Sequence, residues 1–273
     1  MITKTLTIPF EIGDKFDFWP FGDLHWDSAE CDKKAFKADL SRMSPKAIAT
    51  GNGDWFSSIP VVDKRYSKTE DGDKTEAFIN NSVDEIASYV LPYKERFIGL
   101  GIGNHERKYI QKFGADPIRL LCKELSSDGH KVMHLGYSSI IRISFQYIKG
   151  SRTFYYTIRQ HHGWGGAART EGGNVTKFAR EAKNWDADLQ VYSHVHDPDM
   201  RTLPPILSIN HNGNLVSRKR LLVITGSYQK TFNNEVYPSY AEQMGFAPTE
   251  IGTTPIILEC TANGIKTSYG GTV

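Results

Sequence analysis

Residues 47–54, Ala-Ile-Ala-Thr-Gly-Asn-Gly-Asp, join a short apolar run to a polar end that contains two glycines. The run at 47–50 predicts a buried strand, and the Gly-Asn-Gly that follows ends it immediately before Asp54. Residues 96–106 repeat this arrangement, with a predicted strand at 96–102 followed by Gly-Asn-His-Glu. Polar side chains directly after strands are typical of α/β proteins, which bind ligands at the carboxyl ends of their strands.

Amphipathic helices are predicted between these strands. Asp32 can cap a helix with apolar residues at 36, 40 and 43, and residues 79–90 show the same spacing before Pro92 ends them. A further helix starts at Asp116-Pro117. Later in the chain, residues 131–159 favour a β-meander, and Asn212-Gly213 indicates a hairpin over about 206–225. We therefore expect an α/β fold.

The chain reads as one domain spanning residues 1–273, with a polar surface insertion at about 60–76. Its 273 residues are 39% hydrophobic and 23% charged, with a formal net charge of +2, so any basic surface must be local. The three cysteines lie far apart and form no disulfide or zinc pattern. With no long apolar stretch in the sequence, we expect a cytoplasmic protein that does not bind membranes; the oligomeric state is left open.

The residues just past the predicted strand ends are almost all oxygen or imidazole ligands. Their sequence separations leave room for a strand and a helix between successive groups, so distant residues can converge at one edge. Two metal ions a few ångströms apart need a shared carboxylate and a mixed nitrogen and oxygen set, which these residues supply. The set consists of Asp23, His25, Asp54, Asn104, His105, His162, His194 and His196.

In this order the motifs resemble those of the calcineurin-like metallophosphoesterase superfamily. The family pattern is D-x-H, G-D-x-x-D, G-N-H-[DE], a lone His and G-H-x-H, and residues 23–196 follow it in this order except at Ser57 and Ser193. Gly226-Ser227 resembles the family's closing turn. As a whole, the sequence is similar to those of compact phosphoesterases encoded by phages and prophages, some of which resemble the nuclease domains of DNA-repair exonucleases.

The resemblance implies a fold of two mixed β-sheets packed as a sandwich and flanked by helices. It implies two divalent metal ions, Mn in the first instance with Fe or Zn as alternatives, and phosphoester hydrolysis through a hydroxide that bridges them. His105 would be the catalytic residue that protonates the leaving group. By the same resemblance, Asp23, His25 and His196 would hold one metal, Asn104, His162 and His194 the other, and Asp54 would bridge both.

Three positions depart from the family pattern or are ambiguous. Ser57 stands where the family usually has an Asp that orients the catalytic His; the Ser57 side chain could still accept the hydrogen bond of that His, or the Asp27 carboxylate could substitute. Ser193 replaces a glycine, which changes backbone freedom but not ligation. In the His161-His162 pair, His162 is chosen as the ligand because it precedes Gly163, as in the family.

The glycine-rich loop at 163–169 suggests how a substrate is held. Trp164 could stack on a base and Arg169 could hold a phosphate, with Arg107 as a further phosphate contact, so the expected substrate is a phosphodiester in a nucleotide or DNA. A packing role for Trp164 is an equal alternative. A phosphomonoesterase or protein phosphatase and a non-catalytic metal-binding protein remain open, although residues 57–58 lack the Asp-Arg pair usual in the family's protein phosphatases.

Overall fold

The fold is described from a computed structural model of the chain, which describes residues 1–71, 74, 77–166, 168, 170, 172–210, 212–232 and 238–269. The strands are β1 (Ile2–Phe10), β2 (Lys15–Phe21), β3 (Ile48–Asn52), β4 (Phe97–Gly101), β5 (Met133–Gly136), β6 (Ser138–Tyr147), β7 (Thr153–His161), β8 (Leu189–Tyr192), β9 (Asp199–Ile209), β10 (Leu215–Ile224), β11 (Ile256–Thr261) and β12 (Gly264–Tyr269). The helices are α1 (Lys33–Arg42), α2 (Lys68–Asp71), α3 (Phe78–Val90), α4 (Asn104–Phe113), α5 (Pro117–Leu125), α6 (Gly173–Ala182) and α7 (Tyr240–Gln243), and a 3₁₀ helix follows α3 at Leu91–Arg96.

The strands form two six-stranded mixed sheets. One has the order β1-β6-β7-β8-β10-β9, and the other has the order β12-β11-β2-β3-β4-β5. In the second sheet β2 to β5 run parallel, whereas β11 pairs antiparallel with β2 and with β12. In the first sheet β7, β8 and β10 run parallel to one another, and β9 closes its edge antiparallel to β10. The predicted α/β class with two mixed sheets is confirmed.

The two sheets pack face to face over a shared apolar core. This core takes side chains from both sheets, among them Phe18 of β2, Ile141 of β6 and Leu258 of β11. Strand β2 contributes side chains to two cores, because alternate side chains of a strand point to opposite faces of the sheet. Phe16 and Phe18 enter the core between the sheets, while Trp19 and Phe21 enter a second core on the outer face. A strand buried on both faces reads as a nearly continuous apolar run, as β2 does.

Helices cover the outer faces. The apolar faces of α1, α3 and α5 pack with the outer face of the second sheet, and α6 packs on the outer face of the first. As predicted, Asp32 caps α1 by accepting hydrogen bonds from two backbone N–H groups, and Asp116 caps α5. Asn174 is the second residue of α6, which begins at Gly173, and its side chain does not cap the helix. The Asn174 side chain is instead buried, accepting from the backbone N–H of Ala168 at 2.8 Å and donating to Asp197 at 3.1 Å.

Part of the predicted surface insertion is held against the body of the protein. The Lys74 ammonium group is buried and lies 3.0 Å from the Asp27 carboxylate, which follows the first ligand loop. Within the described residues, no helix has the length and apolar character needed to cross a bilayer.

Candidate metal centre

The predicted ligands meet where the parallel strands of the two sheets end. The loops after β2, β3 and β4 bring Asp23, Asp54 and Asn104 to this edge from one sheet. The loops after β7 and β8 bring His162 and His194 from the other. Backbone hydrogen bonds tie the loops together, with Asp23 N–H donating to the Gly53 carbonyl and His25 N–H to the Asp54 carbonyl, each at 3.0 Å. The site therefore lies where the two sheets meet.

Asp23, His25 and His196 form the first cluster, in which one ligand atom from each residue lies within 4.8 Å of the others. The Nε2 atoms of His25 and His196 are 3.3 Å apart, and His196 Nε2 is 3.5 Å from Asp23 Oδ1. On the far side of the His25 ring, Nδ1 lies 3.1 Å from Ser57 Oγ. If Nδ1 donates there, Nε2 carries a lone pair directed into the cluster. Burial, with the positive charges of neighbouring histidines, lowers the pKa of His25 to about 3, so its ring is neutral, as ligation requires.

Asp54, His162 and His194 form the second cluster, again within 4.8 Å. His162 Nδ1 lies 2.9 Å from the Asn52 carbonyl, which directs Nε2 toward Asp54 Oδ2 at 3.2 Å and Asn104 Oδ1 at 3.0 Å. Asn104 thus adds an amide oxygen to this cluster. His194 Nε2 lies 2.6 Å from the Gly165 carbonyl, so its lone pair is on Nδ1.

Asp54 is shared between the clusters, since it also lies within 4.8 Å of His25 and His105. Although burial opposes ionisation, the positive charges available on His162 and His105 hold the pKa of Asp54 well below its usual range. In return, against the effect of burial, the carboxylates of Asp54 and Asp23 raise the pKa of His162 to about 9. In the absence of a metal, a proton on His162 therefore balances the buried carboxylate charge.

The backbone is unusual at these positions. Non-glycine residues rarely adopt positive φ, and each such residue costs roughly 1–3 kcal/mol, so clusters of them indicate functional sites. Six described residues other than glycine have positive φ, and five are predicted ligands: Asp23, His25, Asp54, His194 and His196, with φ of 50°, 50°, 50°, 78° and 56°. The sixth is Ser58, which is adjacent to Ser57.

The residues present fit divalent metal ions. Asp23 Oδ2 accepts a hydrogen bond from the His194 backbone N–H at 2.7 Å, but Oδ1 is buried and accepts none from the described residues. A buried carboxylate oxygen without a donor is costly unless a cation meets it. The donor set of imidazole nitrogens, carboxylates and one amide oxygen suits Mn, Fe or Zn.

His105 lies beside the clusters at the start of α4. Its ring is half-buried and packs edge-on against His25, with ring centres 4.9 Å apart. Its Nδ1 lies 2.8 Å from the backbone carbonyl of Ser57, to which it can donate, leaving Nε2 for a substrate. The expected carboxylate partner is thus replaced by a carbonyl, and neither the Ser57 hydroxyl nor Asp27 fills that position.

Asp27 binds the backbone of the same loop, at residues 57–58. Its carboxylate accepts hydrogen bonds from the backbone N–H groups of Ser57 and Ser58 and from Lys74. These contacts hold the Ser57 carbonyl where it meets His105. Nothing in the local sequence around Asp27 signals this role, because its partners lie more than 25 residues away.

Glu106 supports the loop that carries Asp54 in the same way. Its buried side chain accepts from the backbone N–H groups of Asp54, Phe56 and Gly103 at 3.1, 2.9 and 2.8 Å. Burial, together with the negative charge of Asp54, raises the pKa of Glu106 to about 8. The sequence motif contained Glu106, but its function as an anchor between two loops becomes visible only in the structure.

The clusters open into a cleft of about 850 Å³, called here the metal cleft. His25, Asp54, Asn104, His105, His194 and His196 all line it. One wall comes from residues late in the chain, including Gln229, Lys230, Phe246 and Pro248. No motif in residues 229–248 indicates this contribution, which only the structure shows.

The predicted substrate-binding residues are placed differently. Trp164 packs edge-on against Phe178 and the ring of His161, with ring centres 5.1 and 5.3 Å away, beside the apolar core under α6. This geometry favours the packing alternative. Arg107 is exposed on α4, and neither it nor Trp164 is among the described residues lining the metal cleft. Arg169 lies outside the described residues.

No protein-family model matches the chain, and no curated protein matches it in sequence. Among solved structures, it is similar to a conserved uncharacterised protein of Streptococcus pneumoniae described as a predicted phosphoesterase, with a TM-score of 0.36 and 12% identity over 94% of this chain and 99% of that one. It is also similar to Vacuolar Protein Sorting 29 of Cryptosporidium parvum, with a TM-score of 0.33 and 13% identity over 95% and 98%. A metallophosphoesterase of Sphaerobacter thermophilus gives a TM-score of 0.31 and 10% identity over 95% and 90%. All three TM-scores lie below 0.5, so the function proposed below rests on the site.

Proposed function

We propose that this protein is a metal-dependent phosphoester hydrolase with a dinuclear centre. The observation that carries the proposal is the pair of ligand clusters that share Asp54 and have His105 at their side. On the order of its motifs, we assign the chain to the calcineurin-like metallophosphoesterases, in the compact form that phages and prophages encode.

The assigned ligands follow from the clusters. Asp23, His25 and His196 would hold one ion, Asn104, His162 and His194 the other, and Asp54 both. Bound metal ions would supply Lewis-acid polarisation of the phosphoryl oxygens and would lower the pKa of a coordinated water. Mn is the first candidate for this donor set, with Fe and Zn as alternatives.

The protein's own groups do the remaining work. With both ring nitrogens protonated, His105 donates a proton from Nε2 to the leaving-group oxygen, while its Nδ1–H donates to the Ser57 carbonyl, which orients the ring. Buried histidines hold the Asp54 carboxylate ionised, so it is available as a ligand across the neutral pH range. The strained loops fix these groups before substrate arrives, which limits the reorganisation needed in the transition state.

A phosphodiester of a nucleotide or nucleic acid is the substrate class we propose. The metal cleft is large enough for more than a phosphate, and its lining includes the cations Arg65, Lys108 and Lys230 and the aromatic side chain of Phe246. Cations favour phosphates, and apolar surface favours a sugar or base.

Hydrolysis of an aryl phosphodiester and of an aryl phosphomonoester by metal-stripped protein, with and without added Mn²⁺, tests the proposal. We expect Mn-dependent turnover that favours the diester and falls about 100- to 10,000-fold in His105→Ala. His130→Ala is a matched control, because His130 pairs with Glu95 at 3.2 Å and lies in none of the clusters.

Asp54→Asn provides the second arm, and we expect it to lose both tight Mn²⁺ binding and turnover. Full Mn-dependent turnover in Asp54→Asn would refute the dinuclear centre. Mn²⁺ binding by the wild type without turnover of either ester would instead favour the non-catalytic metal-binding protein.

A further inference from the structure

A second pocket, of about 480 Å³, lies beside the metal cleft. We call it the α4 pocket, because α4 supplies one of its walls. Arg65 and Lys108 line both spaces, so the two pockets adjoin at these side chains. Nothing in the sequence motifs assigns a function to this pocket.

The lining of the α4 pocket is strongly basic. Among the described residues of the lining, Lys64, Arg65, Lys108 and Lys112 contribute four cations and Asp63 contributes one carboxylate, which leaves a net charge of +3. Asp63 forms an ion pair with Arg65, whose guanidinium donates to both Asp63 carboxylate oxygens at 3.0 Å. Because the whole chain carries a formal charge of only +2, this is a local concentration of positive charge, suited to an anion.

The pocket also offers an exposed aromatic ring. Phe113 is 42% exposed, its ring centre lies 4.8 Å from that of Tyr109, and Lys112 Nζ lies 5.2 Å from the centre of the same ring. Val62, 73% exposed, adds an apolar side chain to the same lining. An aromatic face next to cations is the combination by which proteins bind single-stranded nucleic acids, since the ring stacks on a base while the cations meet phosphates.

Helix α4 relates this pocket to the metal centre. It begins at Asn104 and His105, beside the ligand clusters, and ends at Phe113. Lys108 and Lys112 are four residues apart, so they lie on one face with about 6 Å between them along the axis. The face leads from the metal cleft to the α4 pocket.

We propose that the α4 pocket binds the nucleotide adjacent to the scissile phosphodiester of a single-stranded nucleic acid, with its base on Phe113 and its phosphate between Lys108 and Lys112. The proposal rests on the function proposed above for the metal cleft and specifies its substrate as a strand longer than one nucleotide. A polyphosphate would use the cations but would gain little from the aromatic ring.

Binding is tested without turnover, by fluorescence anisotropy of a labelled eight-residue oligothymidylate with metal-stripped protein in EDTA. The variants are Phe113→Ala and Lys112→Ala, both at exposed positions, and the matched control is Lys123→Ala at the exposed end of α5. We expect Phe113→Ala to weaken binding roughly tenfold, as loss of one stacked base does. Lys112→Ala should reduce the slope of log affinity against log salt by about 0.7, the value for one phosphate on a single strand.

Turnover then separates this proposal from the previous one. With Mn²⁺, Phe113→Ala should lower kcat/KM for the oligothymidylate about tenfold and leave that for an aryl phosphodiester within twofold. Variant-dependent binding without hydrolysis of either substrate would support the α4 pocket and refute the hydrolase. Equal oligonucleotide affinity in the wild type and both variants, or no binding by the wild type, would overturn the α4 pocket whatever the turnover. Displacement by tripolyphosphate, with Phe113→Ala behaving as wild type, would also overturn it in favour of a polyphosphate site.

Discussion

Replacing Gly103 by alanine tests the packing that holds the carboxylate of Asp54, the proposed shared ligand. Gly103 precedes α4, and a Cβ added there would lie 2.0 Å from Asp54 Oδ1 and 2.6 Å from the Asp54 backbone nitrogen. The φ of Gly103 is −106°, which any residue can adopt, so the methyl group and not backbone strain causes the effect. Carbon and oxygen atoms in contact lie more than 3 Å apart, and the Asp54 carboxylate must therefore move by about 1 Å.

The size of the effect follows from that displacement. Overpacking of a buried site costs about 1–3 kcal/mol of unfolding free energy, and a 1 Å misplacement of a catalytic group lowers turnover on the order of 100-fold. We therefore expect Gly103→Ala to fold, to melt a few degrees lower, and to lose about 100-fold in Mn-dependent phosphodiester turnover.

Thermal unfolding, Mn²⁺ titration and diester hydrolysis measure the three quantities. The control is Gly150→Ala, because Gly150 lies in a surface turn and its added Cβ would meet Tyr147 at an ordinary 3.4 Å. Wild-type Mn²⁺ affinity and turnover in Gly103→Ala would refute the tight contact and, with it, the placement of Asp54 as the shared ligand.

Three further predictions concern the surroundings of the ligands. Asp27 positions the carbonyl that orients His105, so Asp27→Ala should lower kcat about 10- to 100-fold and alter the pH profile of kcat. The Mn²⁺ affinity should stay unchanged. An unchanged kcat would contradict this role of Asp27. Because the pKa of His162 is raised to about 9, Mn²⁺ binding at pH 7 should release close to one proton. Titration calorimetry in two buffers of different ionisation enthalpy measures this release. Binding without proton release would count against ligation by His162. Trp164→Ala should cost about 2 kcal/mol of stability and affect a nucleotide and an aryl diester equally, whereas a KM increase for the nucleotide alone would restore its role as a base platform.

The same raised pKa makes the metal-free protein sensitive to pH. The pKa of His162 is 6.5 in an unfolded chain and about 9 in the fold, so the folded state binds the extra proton. This contribution to stability is fully present below pH 6.5 and is lost as the pH rises through about 9. Bound metal would replace the proton, so holoprotein should lack this alkaline loss.

Short-range sequence signals were sufficient for the fold class and for the set of candidate ligands. Strand ends are marked locally, by glycines that stop an apolar run and by the polar residue that follows, as at Asp54. Parallel strands bring their carboxyl ends to one edge, so residues such as Asp23 and His194 can be expected to meet although they lie far apart in the chain. The structure gathers all seven predicted ligands there.

What the sequence pattern by itself determined is thus the α/β class and which side chains follow the strand ends, whereas the two mixed sheets were expected only from the resemblance of the motifs to those of a known family. Only the tertiary structure decided that the Ser57 carbonyl orients His105, that Trp164 packs under α6, and that residues late in the chain wall the metal cleft. The physical reason is that each of these features is a contact between segments distant in sequence. Local propensity decides where a strand stops, but which remote backbone group meets a given ring depends on how the sheets and loops pack together.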